Sequence, residues 1–325
     1  MITTLVYRDH RFVALNPPPE SLATLRTEPN VMLWVDVSAP TAEETTLILE
    51  RLFGLHPLVI EDCTTDSPFP KLETFDDYLH LVMHAVDYSK GDKFTTTDLD
   101  LIIGKNYLLS FHRLPLRPLQ ILLERAARSG AGVAPVRGPD RIAHTVLDAI
   151  VEAYQPALAE LRKDLEQIEE GVLGSATPAE LFPRVVALRK DLASLRQIVR
   201  PQRAVAIELA AGKPGFIRPP MLPYLRDLAE DYARIETQAA SWGDQLILSF
   251  RVYLNKSSHE ANEGIKVLTG LTAVTTPAIL VGGWFGMNFA FMPELDPLWT
   301  YPLAALVTVG LTAALLAYLR QRRWL

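Results

Sequence analysis

One cysteine, Cys63, occurs in the 325 residues, so no disulfide forms within the chain, and a reducing, cytosolic setting suits its bulk. Beside Glu61 and Asp62 that thiol reads as a small core filler rather than a nucleophile, because neighbouring anions keep a thiol protonated. Catalytic signatures are missing too. There is no HExxH, no glycine-rich phosphate loop and no Ser-His-Asp pattern, so the chain reads as no enzyme and calls for no organic cofactor. Basic charge is not in excess: 38 acidic against 32 basic side chains leave a net charge of −6. That argues against nucleic acid as a partner and is compatible with cations. Met1 to Leu15 alternates polar and apolar residues and carries Arg8, Asp9, His10 and Arg11, with no apolar run. It does not read as a signal peptide, and a cytoplasmic N-terminus is expected.

Charge is absent from two stretches near the end. Val267 to Phe285 has no charged residue over about 19 positions, enough to cross a hydrocarbon core of roughly 30 Å. Leu298 to Leu319 is a second such run, of about 22 residues. The mean hydropathy of +0.12 has its apolar excess there. The loop between them contains Glu294 and Asp296 but no Lys or Arg, while Lys256 and Lys266 precede the pair and Arg320, Arg322 and Arg323 follow it. Basic outer flanks predict a two-span protein with both termini inside and the loop outside. A buried hairpin in a large soluble core is the alternative, although such helices normally show a polar face. The second span is greasy and flanked by Trp299, Tyr301, Tyr318 and Trp324. The first carries Thr269, Thr272, Thr275, Thr276, Pro277, Gly282 and Gly283. Small and hydroxylated residues suit either a water-lined path or close helix packing without one.

Residues 1 to about 130 mix strand and helix signals. Val31 to Val37, Tyr78 to Val86, Leu99 to Ile103 and Tyr107 to Phe111 read as strands, with a turn at Gly104-Lys105-Asn106. Thr41 with Glu44 opens a helix through Phe53, and Pro115 opens another to about Ser129. His80 and His84 are four apart, which on a helix would suggest a zinc pair; on an extended strand they lie about 14 Å apart and share no ion. Beyond Asp140 the chain turns helical. One helix is predicted over Arg141–Glu170, and a second opens at Thr177-Pro178-Ala179-Glu180 and runs to about Ala211. After Pro223 no stop occurs before Gly286, which gives a rod roughly 95 Å long. Leu225, Leu228, Tyr232, Ile235, Ala239, Trp242, Leu246 and Phe250 form its apolar seam.

Lys266-Val267-Leu268-Thr269, Pro277, Gly286-Met287-Asn288-Phe289 and Met292-Pro293-Glu294-Leu295 strongly resemble the CorA family of magnesium transporters. The similarity extends through Trp34-Val35-Asp36, His56-Pro57-Leu58, Pro70-Lys71-Leu72-Glu73, Asp76-Asp77-Tyr78 and Gly104-Lys105-Asn106-Tyr107-Leu108, so it covers essentially the whole chain. It implies an α+β fold: an α/β/α cytoplasmic domain (1–138), a helical hairpin (139–222), a stalk helix running into the first span (223–288), an external loop (289–297), and a second span with a basic cytoplasmic tail (298–325). It further implies a homopentamer in the inner (cell) membrane, with the first spans around a pore and the stalk helices as a funnel.

In that frame Gly286, Met287 and Asn288 form the outer selectivity filter for hydrated Mg²⁺, with Glu294 and Asp296 concentrating cations nearby. Asn288 also suits a helix C-cap. Asn262, Leu268, Thr276, Ile279 and Gly283 fall at pore-lining positions, and Leu268 belongs to an apolar constriction. Thr276 and Ile279 stand where relatives often have Met and Thr; Arg251 stands at a funnel position where relatives can have a carboxylate. Asp227 matches the stalk member of a regulatory Mg²⁺ pair, with its partner near Asp87, although a salt bridge on a solvated helix would also explain it. Mg²⁺ is thus expected both as cargo and as regulator. Zinc, cobalt or nickel on the same fold, and a non-conducting coiled-coil scaffold in the membrane, remain the other readings. Met287 counts against zinc, because the zinc-transporting branch usually has Ile there.

Overall fold

A computed structural model describes residues 1–67, 69–87, 95–128, 137–174, 177–213, 215–287 and 299–322. The chain divides into two units, Met1–Ile247 and Leu248–Leu325.

The first unit is built on a mixed seven-stranded sheet in the order β2-β1-β3-β7-β6-β5-β4. Its strands are β1 (Ile2–Arg8), β2 (Arg11–Leu15), β3 (Val31–Ser38), β4 (Lys71–Thr74), β5 (Tyr78–Asp87), β6 (Thr95–Gly104) and β7 (Tyr107–His112). β3 and β7 run parallel; the other neighbours are antiparallel. The four expected strands are present. β6 begins earlier than Leu99, because Thr95 to Asp98 pair with the end of β5. β1, β2 and β4 are additional. The turn at Gly104 works because a side chain there would collide with the Tyr107 ring. Asn106 then donates to the Arg26 carbonyl at 2.7 Å.

One sheet face is covered by α1 (Pro19–Thr27), α2 (Ala42–Thr45) with its π-helical continuation Thr46–Leu52, and α3 (Pro57–Thr64). The Thr41–Glu44 capping box forms as expected, but the helix it opens is not α-helical throughout. The Phe53 N–H reaches back to the Ile48 carbonyl, a five-residue step. Ile48, Leu49, Phe53, Val59 and Cys63 pack against Leu33, Val35, Ile102 and Leu109 of the sheet. The other face receives α4 (Arg117–Arg128) and α5 (Pro139–Glu152), so the layers are α/β/α.

The helix expected over Arg141–Glu170 is two helices. α5 ends at Glu152 and α6 (Gln155–Leu173) starts afresh. The reason is Pro156, which sits in the first turn of α6; without an N–H it cannot continue α5, and its ring clashes with the preceding turn. α7 (Pro178–Ala210) starts at the Thr177–Glu180 capping box and carries Pro183 and Pro201 within it. α8 runs unbroken over Leu222–Phe285, 64 residues, entered through a tight turn at Pro219–Met221. Its seam from Leu225 to Leu246 is buried in the first unit, while Phe250 is only half-buried. Arg203 of α7 meets Glu236 of α8 at 2.9 Å, and Gln245 of α8 donates to Glu169 of α6 at 2.7 Å.

The second unit contains the end of α8 and α9 (Thr300–Gln321). Both helices are long and apolar enough to cross a membrane, and their most apolar windows are only 11% and 6% buried.

Candidate functional site

The first span is the last third of α8. Its burial follows the helical period. Gly270 and Pro277 are buried, and Ala273, Val274, Val281 and Phe285 are half-buried, all on one face. α9 has a matching half-buried stripe, Ala304, Thr308, Thr312, Leu315 and Leu316, ending at buried Leu319. They recur at three- and four-residue steps, and Gly270, Ala273, Ala304, Thr308 and Thr312 among them are small, as at closely packed membrane helices.

The opposite face of α8 carries the expected pathway residues. At 3.6 residues per turn, Leu268, Thr272, Thr276, Ile279, Gly283 and Gly286 fall within a stripe about 80° wide. Leu268 and Ile279 are 64% and 68% exposed, so none of the described residues covers them. Thr276 is half-buried at the flank of the stripe, and exposed Asn262 lies just beyond it. Thr272, hydroxylated like its neighbours, falls on the same face by its spacing from Leu268 and Thr276. The hydroxyls bond inward: Thr272 donates to the Leu268 carbonyl at 2.9 Å, and Thr276 to that of Thr272 at 2.7 Å.

The helix ends at the tripeptide. The Gly286 N–H bonds the Gly282 carbonyl at 3.0 Å, and the Met287 N–H lies 3.4 Å from that of Trp284. A helix C-terminus carries partial negative charge, which favours a cation there. A side chain at Gly286 would come within 2.9 Å of the Gly282 oxygen, a backbone atom that cannot swing aside. Asn288, Glu294 and Asp296 lie outside the described residues.

Asp227 is exposed on α8, and Asp87 closes β5 opposite Thr95. Near Asp227 the field is acidic. Burial pushes the Asp231 carboxyl upward, Arg234 opposes this, and Asp227, Asp148 and Glu230 add to the rise. Arg251 is exposed on α8.

His80 and His84 each meet a different carboxylate of β6. His80 Nε2 lies 2.8 Å from Asp100 Oδ1, and His84 Nε2 lies 3.3 Å from Asp98 Oδ1. The cluster around His80 escaped sequence reading, since its members come from α3, β4, β5 and β6 and share no spacing motif.

Comparison with known proteins agrees with this architecture. The cobalt/magnesium transport protein CorA of Thermotoga maritima is 28% identical over 90% of this chain and 83% of its own length. The magnesium transport protein CorA of Haemophilus influenzae is 22% identical over 100% of both. The complete structure of the CorA magnesium transporter from Methanocaldococcus jannaschii superposes with a TM-score of 0.80 at 19% identity, covering 99% of this chain and 98% of that one. The profile of one family, described as CorA-like Mg²⁺ transporter protein, matches residues 29–321. The chain belongs to the CorA-like Mg²⁺ transporter family.

Proposed function

We propose that this chain conducts Mg²⁺ into the cell as a homopentamer in the inner membrane, with five α8 spans around a central pore. The observation that carries the reading is the division of α8 into two faces. One is covered within the chain, and the other, from Leu268 to Gly286, is largely exposed among the described residues, with only Thr276 half-buried at its flank. In the pentamer the bare stripes face one another across the axis. Leu268 and Ile279 supply apolar rings, Thr272 and Thr276 supply polar rings between them, and Gly283 leaves an open one beyond Ile279. Both termini face the cytoplasm, in keeping with Lys256, Lys266, Arg320, Arg322 and Arg323.

Gly286, Met287 and Asn288 form the outer filter. Mg²⁺ is small and releases its water reluctantly, so fivefold carbonyl and amide oxygens act on its hydration shell rather than replacing it. Glu294 and Asp296 raise the local cation concentration. The driving force is electrical. An inside-negative potential of 100 mV is worth about 4.6 kcal/mol for a divalent ion, so no nucleotide is required. Cytoplasmic Mg²⁺ closes the pore by bridging Asp227 of one protomer to the Asp87 region of the next, favoured by the acidic surroundings of Asp227. Five Arg251 side chains at the inner mouth oppose cations and tune the rate.

The test is Mg²⁺ flux into liposomes for wild type and Asn288→Ala, with the oligomer mass measured in parallel. Flux that collapses in the variant while the pentamer persists is expected. Equal flux in both, or none in either with intact pentamers, would reject the pore assignment.

A further inference from the structure

We propose that Asp62, Glu73 and the Nδ1 atom of His80 form a site for a first-row transition-metal dication of the zinc class, separate from the transported ion. Their ligand atoms, one from each residue, all lie within 4.8 Å of one another. Glu73 on β4 stands directly opposite His80 on β5 in the antiparallel register, and Asp62 reaches the pair from α3.

Histidine chemistry points to the ion. His80 is fully buried, and its Nε2 meets the buried carboxylate of Asp100 at 2.8 Å. With Nε2–H donated to Asp100, Nδ1 carries a bare lone pair. Among the described residues that nitrogen has no hydrogen-bond partner, and the nearest Glu73 oxygen is 3.8 Å away. A buried acceptor left unsatisfied costs about 1–3 kcal/mol, so its retention asks for a reason. A carboxylate behind an imidazole whose other nitrogen faces two more carboxylates is the arrangement that orients a metal-binding histidine.

Charge makes the same argument. Three carboxylates, Asp62, Glu73 and Asp100, converge here, and the Lys71 ammonium is the cation among the described residues that meets two of them. Lys71 Nζ lies 2.5 Å from Asp62 and 3.4 Å from Glu73, on a flexible and partly exposed side chain. It fills the place of an ion and can swing out when one arrives. Glu73 is also partly exposed, which gives the ion an entry path and lets the ligands close to the roughly 3.3 Å separation that metal–ligand bonds of about 2.0–2.2 Å require. Imidazole with two carboxylates suits Zn²⁺ or Co²⁺, whereas Mg²⁺ prefers an all-oxygen octahedron. Once bound, the ion would pin β4, the edge strand of the sheet, to α3 and β5.

The test uses the full-length protein in detergent with millimolar Mg²⁺ present throughout, titrated with Zn²⁺. Bound zinc is counted by elemental analysis after gel filtration, and thermal stability is followed in parallel. Wild type should retain a zinc ion and gain thermal stability from it, and Glu73→Gln should bind it roughly tenfold or more weakly, at least the loss that removing a supporting hydrogen bond causes. Wild type that holds no zinc, or Glu73→Gln that holds as much, overturns the proposal. Lys71→Gln removes the competing cation without touching a ligand, so it carries the test even if Glu73→Gln fails to fold. Tighter zinc binding in Lys71→Gln supports the site, and unchanged or weaker binding refutes it.

Discussion

The buried amide of Gln202 on α7 accepts a hydrogen bond from the Tyr232 hydroxyl of α8 at 3.2 Å. Its nitrogen donates to the Tyr154 hydroxyl at 2.7 Å, and Tyr154 in turn donates to the His84 carbonyl of β5 at 3.3 Å. Sheet, α6 entrance, α7 and stalk are thus tied by one polar chain inside an apolar core. Gln202→Leu should orphan the Tyr232 hydroxyl and destabilise the chain by about 1–3 kcal/mol. Adding Tyr232→Phe should recover part of that loss, because no donor is then stranded. Thermal melts of the single and double variants decide this; a double variant worse than the single would count against the chain of bonds.

Cys63 should be chemically silent in the folded protein. It is 1% exposed, and burial raises its pKa well above the ordinary thiol value, with Asp100 and Asp62 adding to the rise. A buried thiol that stays protonated does not attack maleimides. Labelling with N-ethylmaleimide followed by mass spectrometry should show modification only after denaturation. Rapid labelling of native protein would contradict the packing of α3 on the sheet.

His144 should make the first unit less stable on mild acidification. Burial lowers its pKa below the ordinary 6.5, while Asp148, the Tyr224 carbonyl and Asp227 partly offset this and Arg141 reinforces it. The unfolded chain therefore takes up its proton first. The contribution is complete above the unfolded value and is lost as pH falls through about 6.5 towards the lower folded value. Compared with His144→Gln, wild type should lose more thermal stability between about pH 7 and pH 5.5. Parallel pH profiles would exclude the effect.

Gly286→Ala should reduce transport while leaving assembly intact. The added methyl meets the Gly282 carbonyl at 2.9 Å, so the helix end must shift just where the proposed filter begins. A loss of roughly tenfold in Mg²⁺ flux is expected, equivalent to about 1.4 kcal/mol at the entrance. Unchanged flux would mean that the Gly286 backbone does not position the filter.

Much of this architecture is written locally in the chain. The strands of alternating or continuous β-branched residues, the Thr177-Pro178-Ala179-Glu180 start and the uncharged spans each depend on neighbours a few residues away, and they appear where local rules put them. The break at Pro156 was legible as well, since proline at that point forbids continuation of α5; amphipathic spacing across it masked the signal. The π-helical turn before Phe53 and the edge strand β4 depend on packing, which no short window contains. The meeting of Asp62, Glu73, His80 and Asp100 depends on strand register and on α3 folding over the sheet. Residue types alone do not disclose it.

The inward hydrogen bonds of Thr272 and Thr276 decide what kind of hydration shell the proposed pore accepts. A hydroxyl has one proton and two lone pairs, and here the proton is already engaged by the helix. In the proposed pore, what these hydroxyls offer the axis is therefore acceptor only. Water around a cation turns its oxygen to the ion and its hydrogens outward, and those hydrogens find lone pairs. Water around an anion gives one hydrogen to the ion, so only one is left for those lone pairs and its outward oxygen finds no donor. Rings of threonine with their protons turned away can thus sort ions by the polarity of the water they carry, with no formal charge in the wall.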